Sequence, residues 1–297
     1  MMNNIKTCLF QLSLCLLLLS CNTENDLPIT IKIEQNWQFK SQDDTIWYGA
    51  KVPGNTLSDL LDNAIVKNPF VLNNESDAQW VSERDWEYKT TFTLDDEILS
   101  KEHVTLNFNG LDTYASIFLN DSLLLQTKNA FREFKLDVKE LIKENNELRI
   151  VLERTSKFEH EASSRLGYSL PEGERIFTRK AQFQYGWDWG PKLNTPGIWR
   201  PVELIAWNDY RIDGIFVDTL ELNDSIVDLR VDIESDSNVH SELYYDLFVN
   251  HELKAEQKKL ENSQFQFQIE QPRLWWPNNI GDPYFYDIKV FVKDKKR

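Results

Sequence analysis

Beyond residue 28, most of the chain consists of short segments in which apolar and polar residues alternate. Alternation with a period of two puts successive side chains on opposite faces of a strand, so each segment predicts a half-buried β-strand. The first group of predicted strands is Ile29–Ile33, Tyr88–Leu94, Val104–Phe108, Ala115–Leu119, Leu123–Gln126, Glu147–Leu152 and Pro201–Ala206. Helical spacing is scarce, being confined to Thr56–Ala64 and a short turn at Val138–Ile142. The sequence therefore predicts an all-β fold class.

The alternating segments form two groups, which predict two domains. Residues 28–208 are expected to form a jelly-roll β-sandwich, with a hairpin turn at Asn120–Ser122 and a long polar loop at Arg154–Gly173. Residues 209–297 are expected to form an immunoglobulin-like β-sandwich, because about 90 residues of such strands match that architecture. Its predicted strands are Tyr210–Val217, Ile226–Ile233, Glu242–Val249, Gln264–Ile269 and Tyr284–Val292.

Residues 1–21 have the pattern of an export signal. Lys6 precedes an apolar run from Cys8 to Leu19 that is too short to cross a bilayer. The run ends in Leu18-Leu19-Ser20-Cys21, which resembles the lipobox of bacterial lipoproteins and predicts lipid attachment at Cys21. We therefore expect a location in the bacterial cell envelope, with the membrane contacted only through the lipid; the alternative is an ordinary secretory signal.

Charge and composition exclude several kinds of partner and site. The net charge of −15 argues against nucleic acid, which is bound through Lys and Arg, and favours a neutral substrate. All three cysteines lie within the signal, so no disulfide or thiolate metal site is expected in the domains. The four histidines lack metal-ligand spacing, and no phosphate-binding glycine loop follows a strand. We expect no metal and no cofactor.

The most informative motif is Gly186-Trp-Asp-Trp-Gly-Pro191. Two indole rings beside the Asp188 carboxylate suit a sugar, since the rings contact C–H groups and the carboxylate accepts hydroxyl hydrogen bonds. An alternative interpretation is that Trp187 and Trp189 pack in the core while Asp188 caps a turn.

An ordered set of motifs resembles the amino-terminal region of family 2 glycoside hydrolases of the β-mannosidase type. The set is Pro53-Gly54-Asn55, Asn68-Pro69-Phe70, Asn73-Asn74-Glu75, Gln79-Trp80-Val81, Asp85-Trp86-Glu87-Tyr88, Gly110-Leu111-Asp112-Thr113, Arg179-Lys180-Ala181-Gln182, the Gly186–Pro191 run and Gly197-Ile198-Trp199-Arg200-Pro201-Val202. The likeness is dense from Trp37 to Trp207 and looser through Leu274-Trp-Trp-Pro277. Each motif alone is weak, but the ordered set is specific.

The resemblance implies a galactose-binding-domain-like jelly roll, an immunoglobulin-like domain and a (β/α)₈ barrel that holds the catalytic carboxyl pair. The chain is expected to stop before that barrel, so no catalytic residue is assigned. By the same resemblance, Asp188 binds a hydroxyl of the terminal mannose, Trp187 and Trp189 form walls, and Arg179 supports them. Asp85 and Glu87 are assigned structural roles in a turn and a sheet edge.

Three hypotheses of function follow. The first is the non-catalytic amino-terminal part of a retaining exo-glycosidase that removes terminal β-mannose, with a β-mannoside oligosaccharide and the missing barrel as partners. The second is a stand-alone carbohydrate-binding lipoprotein. The third is another family 2 specificity, such as β-galactosidase or β-glucuronidase, to which the Gly186–Pro191 run is less similar.

Overall fold

A computed structural model describes residues 27–208, 210–237, 243–250, 252–259 and 264–294. Contacts between Cα atoms divide the chain into two compact units, one up to Asn208 and one from Asp209 onward. The predicted export signal and the lipid attachment at Cys21 lie outside the described residues.

The body of the first unit is built from two large antiparallel sheets. The six-stranded sheet has the order β3-β2-β4-β9-β6-β7 and the four-stranded sheet the order β1-β12-β5-β8. The strands are β1 Ile29–Lys32, β2 Gln38–Ser41, β3 Tyr48–Gly49, β4 Trp86–Thr93, β5 His103–Phe108, β6 Tyr114–Leu119, β7 Ser122–Gln126, β8 Phe134–Asp137, β9 Asn145–Glu153 and β12 Val202–Trp207. The first and last of these strands pair with each other, so the unit is closed by its own two ends.

The core of the first unit is formed by the alternate side chains that the sequence pattern predicts. In β4, Trp86, Tyr88 and Thr90 are buried while the residues between them are more exposed. Phe39 stacks on both Trp86 and Tyr88, with ring centroids 5.8 and 5.6 Å apart. Burial of apolar side chains such as these supplies the main stabilisation of such a unit. The predicted all-β fold class is confirmed.

The structure also contains the hairpin turn and the helix that the sequence predicts in the first unit. The predicted hairpin turn joins β6 to β7 through Asn120 and Asp121, whose φ angles of 49° and 66° are the left-handed values of a two-residue hairpin turn. The predicted helix is α1, Thr56–Asp62, in which the Asn55 side chain accepts from the Ser58 amide at 3.0 Å and caps the amino terminus. Two further short helices were not predicted, α2 Asn74–Asp77 and α3 Asp96–Ser100.

The predicted polar loop at Arg154–Gly173 is wrong over its first half, because Thr155–Ser164 forms helix α4. The helix buries Thr155 and Glu159, one turn apart, so its inward stripe is polar and shows no apolar period. Stacking of Phe158 on Tyr114, with centroids 3.8 Å apart, holds it against the sandwich. An exposed i,i+4 ion pair between Glu161 and Arg165 at the end of the helix adds modest support.

The assignment of Glu87 to a sheet edge is also wrong. Glu87 lies in β4, which is an interior strand between β2 and β9. Its carboxylate is 3.4 Å from a guanidinium nitrogen of Arg149 on β9 and 3.6 Å from Lys40 Nζ. Asp85 lies just before β4, where its side chain accepts from the Arg154 amide at 2.8 Å. Both acids are therefore engaged in local structural contacts.

The second unit contains two three-stranded antiparallel sheets, of order β13-β14-β17 and β16-β15-β18. The strands are β13 Tyr210–Leu222, β14 Ile226–Ser237, β15 Leu243–Val249, β16 Glu252–Lys259, β17 Gln264–Glu270 and β18 Ile288–Asp294. Val231 and Ile233 of β14 are buried, with Ile212, Phe267 and Val290 packed against them.

Two strand predictions in the second unit need correction. Strand β16 was missed because Glu252–Lys259 is mostly polar and has no clear alternation. The predicted strand Tyr284–Val292 begins only at Ile288. Tyr284 and Tyr286 instead form an edge-to-face pair, and their hydroxyls bond to Asn250 and to the Arg273 amide. In the described part of the chain, no helix has the length and apolar character needed to cross a membrane.

Candidate functional site

The Gly186–Pro191 motif forms most of an exposed β-hairpin, residues Tyr185–Lys192, which we call the tryptophan hairpin. Strand β10 (Tyr185–Trp187) pairs with β11 (Gly190–Lys192), and Asp188-Trp189 is the two-residue turn between them. The hairpin lies outside the two sheets of the sandwich. The motif is therefore presented on a projection from the first unit.

Both indole rings of the hairpin are largely exposed. Trp187 retains 52% of its accessible surface and Trp189 78%, and Asp188 between them is exposed as well. The interpretation in which both tryptophans pack in the core is therefore excluded. The two exposed rings and the carboxylate between them are therefore accessible to a ligand or partner.

Gly186 is required by the hairpin's backbone. Its φ of +92° lies in the region that L-residues with a side chain rarely adopt, and a Cβ there would stand 3.1 Å from the Cβ of Lys192. Gly190 differs, since its nearest neighbour for an added Cβ is 3.9 Å away and its φ is ordinary. Of the two glycines in the motif, Gly186 alone carries a conformational requirement.

A buried carboxylate holds the first arm of the hairpin. The Tyr185 hydroxyl donates a hydrogen bond to Glu159 of α4, and the Thr178 hydroxyl donates to the same carboxylate oxygen at 2.8 Å. Glu159 is only 6% exposed. Burial and the bond to Glu159 raise the pKa of the Tyr185 hydroxyl, so the group stays a hydrogen-bond donor throughout the physiological range. We call Glu159, Tyr185 and Thr178 the Glu159 cluster.

A buried ion pair lies beside this cluster. Lys180 Nζ is 3.0 Å from Asp112 Oδ1, and the lysine side chain is fully buried. Burial lowers the pKa of Lys180, an effect that Asp112 and Glu159 oppose by attracting the charge. Asp112 also accepts from the side chain of Gln184, at 3.0 Å, immediately before the hairpin.

The second arm of the hairpin is held by α2 and the turn that follows it. The Lys192 amide donates to the Glu75 carboxylate at 2.8 Å, and the Lys192 carbonyl accepts from the Gln79 side chain at 2.8 Å. Just beyond, the Asn194 side chain donates to Thr155 Oγ1 of α4 at 3.0 Å. Both arms are therefore braced by side chains from elsewhere in the first unit, while the tip is open.

The predicted residues Trp187, Asp188 and Trp189 lie together at the end of the hairpin, and Arg179 lies before the hairpin in the chain. Arg179 is exposed and pairs through its backbone with Asn129. The guanidinium that lies over Trp187 belongs to Arg175, 5.8 Å from the ring centroid. Sequence reasoning missed Arg175 because it lies outside every motif and every segment with strand or helix periodicity.

The side chains at the tip have the chemistry of a binding site. An exposed carboxylate can accept hydrogen bonds from hydroxyl groups, while the flanking rings can contact the C–H face of a pyranose. Within the described ranges, no group of three or more His, Cys, Asp or Glu side chains is arranged to hold a metal ion.

Comparison with known sequences assigns both units. The glycosyl hydrolase 2 galactose-binding domain-like family matches residues 37–200, and glycosyl hydrolases family 2 matches residues 210–297. β-Mannosidase B of Aspergillus flavus is 31% identical over 279 residues, covering 88% of this chain and 33% of the fungal protein. β-Mannosidase B of Thermothelomyces thermophilus is 29% identical, covering 88% and 32%. The chain thus spans about a third of the length of these relatives.

Solved structures give the same picture. The β-D-mannosidase of Dictyoglomus thermophilum is 32% identical, with a TM-score of 0.82, and the match covers 90% of this chain and 34% of that one. A β-glucuronidase from an uncultured Clostridium species is 18% identical, with a TM-score of 0.60 over 91% of this chain and 44% of its own, which is a likeness of fold. With more than half of its residues matched by the galactose-binding-like domain family, this chain belongs to glycosyl hydrolase family 2.

Proposed function

We propose that this chain is the non-catalytic amino-terminal part of a β-mannosidase-like retaining exo-glycosidase, which hydrolyses terminal β-D-mannose residues from oligosaccharides. Relatives named β-mannosidase support this specificity, being 31% identical in A. flavus and 32% identical in D. thermophilum. The observation that carries the proposal is the exposed Trp187-Asp188-Trp189 tip on a hairpin whose two arms are braced.

The tip has the chemistry to hold the terminal sugar. A pyranose presents an apolar C–H face to an indole ring and hydroxyl donors at its rim, which the Asp188 carboxylate accepts as charge-assisted hydrogen bonds. A hydrogen bond to a charged group contributes about 1.5 to 3 kcal/mol. Arg175 over one side of Trp187 helps fix the orientation of that ring.

The hairpin alone buries too little of a monosaccharide to offset its loss of translational and rotational freedom. A second surface must complete the pocket and supply two carboxyl groups about 5 to 5.5 Å apart, as retaining glycosidases require. In this proposal that surface is the mouth of a (β/α)₈ barrel, where catalytic side chains are presented at the carboxyl ends of the strands. We do not assign that role to Asp85 and Glu87. Asp85 accepts a hydrogen bond from the Arg154 backbone amide, and Glu87 pairs with the Arg149 guanidinium.

The test uses a chimera in which residues 28–297 replace the matching third of the D. thermophilum β-D-mannosidase. We expect the chimera to hydrolyse 4-nitrophenyl β-D-mannopyranoside and the 297-residue chain alone to be inactive. Asp188→Asn in the chimera should lower kcat/KM at least about tenfold, because the charge of the acceptor is lost.

Asp121→Asn is the matched control, since Asp121 also stands in a two-residue hairpin turn and is exposed. It should leave kcat/KM unchanged. Hydrolysis by the 297-residue chain alone would place the chemistry within these two units and overturn the proposal. A chimera that prefers the β-glucuronide or β-galactoside would overturn the specificity.

Calorimetric titration of the 297-residue chain with mannose and manno-oligosaccharides tests the stand-alone carbohydrate-binding alternative. We expect no saturable heat. Saturable binding that disappears in Trp187→Ala would instead identify the chain as a binder in its own right.

A lipid anchor at Cys21 and a location in the bacterial cell envelope belong to the same proposal, supported by the lipobox-like Leu18–Cys21 sequence. Mass spectrometry of the amino-terminal peptide should find acyl chains on Cys21. Membrane fractionation should recover the protein with the envelope, and Cys21→Ala should release it. An unmodified amino terminus elsewhere than Cys21 would contradict the anchor.

A further inference from the structure

Glu159 joins the tryptophan hairpin to helix α4 across a long stretch of sequence. Its carboxylate accepts from Tyr185, 26 residues away, and from Thr178, 19 residues away. Tyr185 is the first residue of the hairpin, two positions before Trp187. The carboxylate therefore acts at the point where the hairpin leaves the body of the unit.

The cluster is built as a fixed support. Glu159 is buried, Thr178 is buried, and Tyr185 is partly buried, so breaking these bonds would leave polar groups without a water partner. Burial lowers the pKa of the nearby Lys180 ammonium, and the attraction of Asp112 and, to a smaller extent, of Glu159 opposes that shift. Burying a carboxylate lowers stability unless its hydrogen bonds are made. The folded unit is therefore most stable in the one geometry that satisfies Glu159.

The sugar-binding geometry needs such a support. Asp188 is exposed and Trp189 keeps 78% of its surface, so the rest of the unit covers little of the tip. Their positions therefore depend on the two arms of the hairpin. Binding is stronger when the surrounding residues already hold the binding groups in place, because ordering mobile groups on binding costs free energy.

We propose that Glu159 is a positioning residue for the mannose-contacting tip, acting through the hydroxyl of Tyr185. It touches no substrate and orients Trp187 and Asp188 by holding the first arm of the hairpin against α4. The effect of Glu159 on sugar binding rests on the proposed function, whereas its role in holding the hairpin does not.

The chain offers a matched control for the Tyr185 hydroxyl. Tyr88 also donates to a buried carboxylate, Asp59, at 2.8 Å. Among the described residues, neither Tyr88 nor Asp59 is hydrogen-bonded to the tryptophan hairpin. Tyr185→Phe and Tyr88→Phe therefore remove the same group from the same kind of bond at two places in one unit.

The first measurement is amide hydrogen exchange of the 297-residue chain, followed on peptides that cover 185–192. Tyr185→Phe and Glu159→Ala should speed exchange there about tenfold or more, since the hairpin opens more often. Glu159→Gln keeps an oxygen acceptor and should restore most of the protection. Tyr88→Phe should leave these peptides unchanged. Equal exchange in Tyr185→Phe and in the unmutated chain would overturn the inference.

The second measurement is the kinetics of the chimera described above. Tyr185→Phe should raise KM for the β-mannoside about three- to tenfold, with Glu159→Gln closer to the unmutated enzyme and Tyr88→Phe without effect. If Asp188→Asn lowers activity and Tyr185→Phe does not, the positioning role is overturned. If Asp188→Asn itself has no effect, the proposed sugar contact fails, and the exchange result still decides the structural part.

Discussion

Trp86 and Trp187 stand in similar local sequences and have opposite environments. Trp86 lies between Asp85 and Glu87, and Trp187 precedes Asp188. Trp86 is 2% exposed, stacks on Phe39 and donates its indole N–H to the Val81 carbonyl at 2.9 Å. Trp187 retains half of its surface. An aromatic residue beside a carboxylate is thus part of the core in one place and exposed to solvent in the other.

The environments of the two tryptophans differ because of the contacts that support them, more than because of the local sequence. Trp86 is stabilised by its own burial within a six-stranded sheet. The tryptophan hairpin buries little of its tip and is stabilised at its base by polar side chains such as Glu159 and Glu75. The core is stabilised by buried apolar area, whereas the hairpin depends on a few side-chain hydrogen bonds at its base.

The largest expected effect concerns the buried ring itself. Trp86→Ala should lower the free energy of unfolding of the first unit by about 3 to 5 kcal/mol, through lost burial and the cavity left behind. Trp189→Ala is the matched control and should change it by less than about 0.5 kcal/mol. Urea unfolding of the full chain measures both, and similar losses would break the distinction between core and hairpin.

The next effect concerns the buried ion pair. Asp112→Ala leaves the fully buried ammonium of Lys180 without its 3.0 Å partner and should cost about 3 to 4 kcal/mol. Lys51→Ala removes one partner of an exposed pair with Asp62 and should leave the stability nearly unchanged, because water screens that pair. Replacing both members by Asp112→Ala with Lys180→Met should recover part of the loss in urea unfolding. A small effect of Asp112→Ala alone would show that water reaches Lys180.

The third test is the pH dependence of a carboxyl group in the core. Burial raises the pKa of Asp59 from 3.8 to about 6, although the Lys51 amide and Tyr88 hydroxyl bond to it. The folded state therefore binds a proton that the unfolded state has released, so Asp59 favours folding below pH 3.8 and this contribution is lost as pH rises through about 6. The stability of the unmutated chain relative to Asp59→Asn should fall by about 2 to 3 kcal/mol over that window. Urea unfolding at several pH values measures both stabilities. If their difference stays constant with pH, the raised pKa of Asp59 is contradicted.

The smallest effect concerns the hairpin backbone. Gly186→Ala introduces a side chain at a φ of +92° and should cost about 1 to 2 kcal/mol, most of it felt locally. Gly190→Ala, with ordinary φ and no neighbour closer than 3.9 Å, is the control and should be nearly neutral. Amide hydrogen exchange of peptides covering 185–192 should rise in the first variant only. Equal exchange in both would remove the special role of Gly186.

Most strands could be predicted from the sequence because alternation is a local property. The residues of β4 alternate in burial as their pattern indicates, and the turn at Asn120-Asp121 has the left-handed backbone that these residues tolerate. Helix α4 could not be predicted, since its inward residues Thr155 and Glu159 are polar. Strand β16 was missed for the related reason that it is mostly polar.

The candidate site was only partly accessible to sequence reasoning. The motif identified Trp187, Asp188 and Trp189, but three-residue strands carry no periodic signal, so the hairpin itself was not predicted. Arg179 was chosen by resemblance, whereas the structure puts Arg175 over the Trp187 ring.

By itself, the sequence determined the all-β class and the family, because strand periodicity and ordered motifs are written in neighbouring residues. Only the tertiary structure decided that the rings at 187 and 189 face solvent and that Glu159 and Tyr185 meet. Burial of a side chain depends on which distant segments pack around it, and the partners of Glu159 lie 19 and 26 residues away. A hydrogen bond across that separation leaves no periodic trace in the sequence.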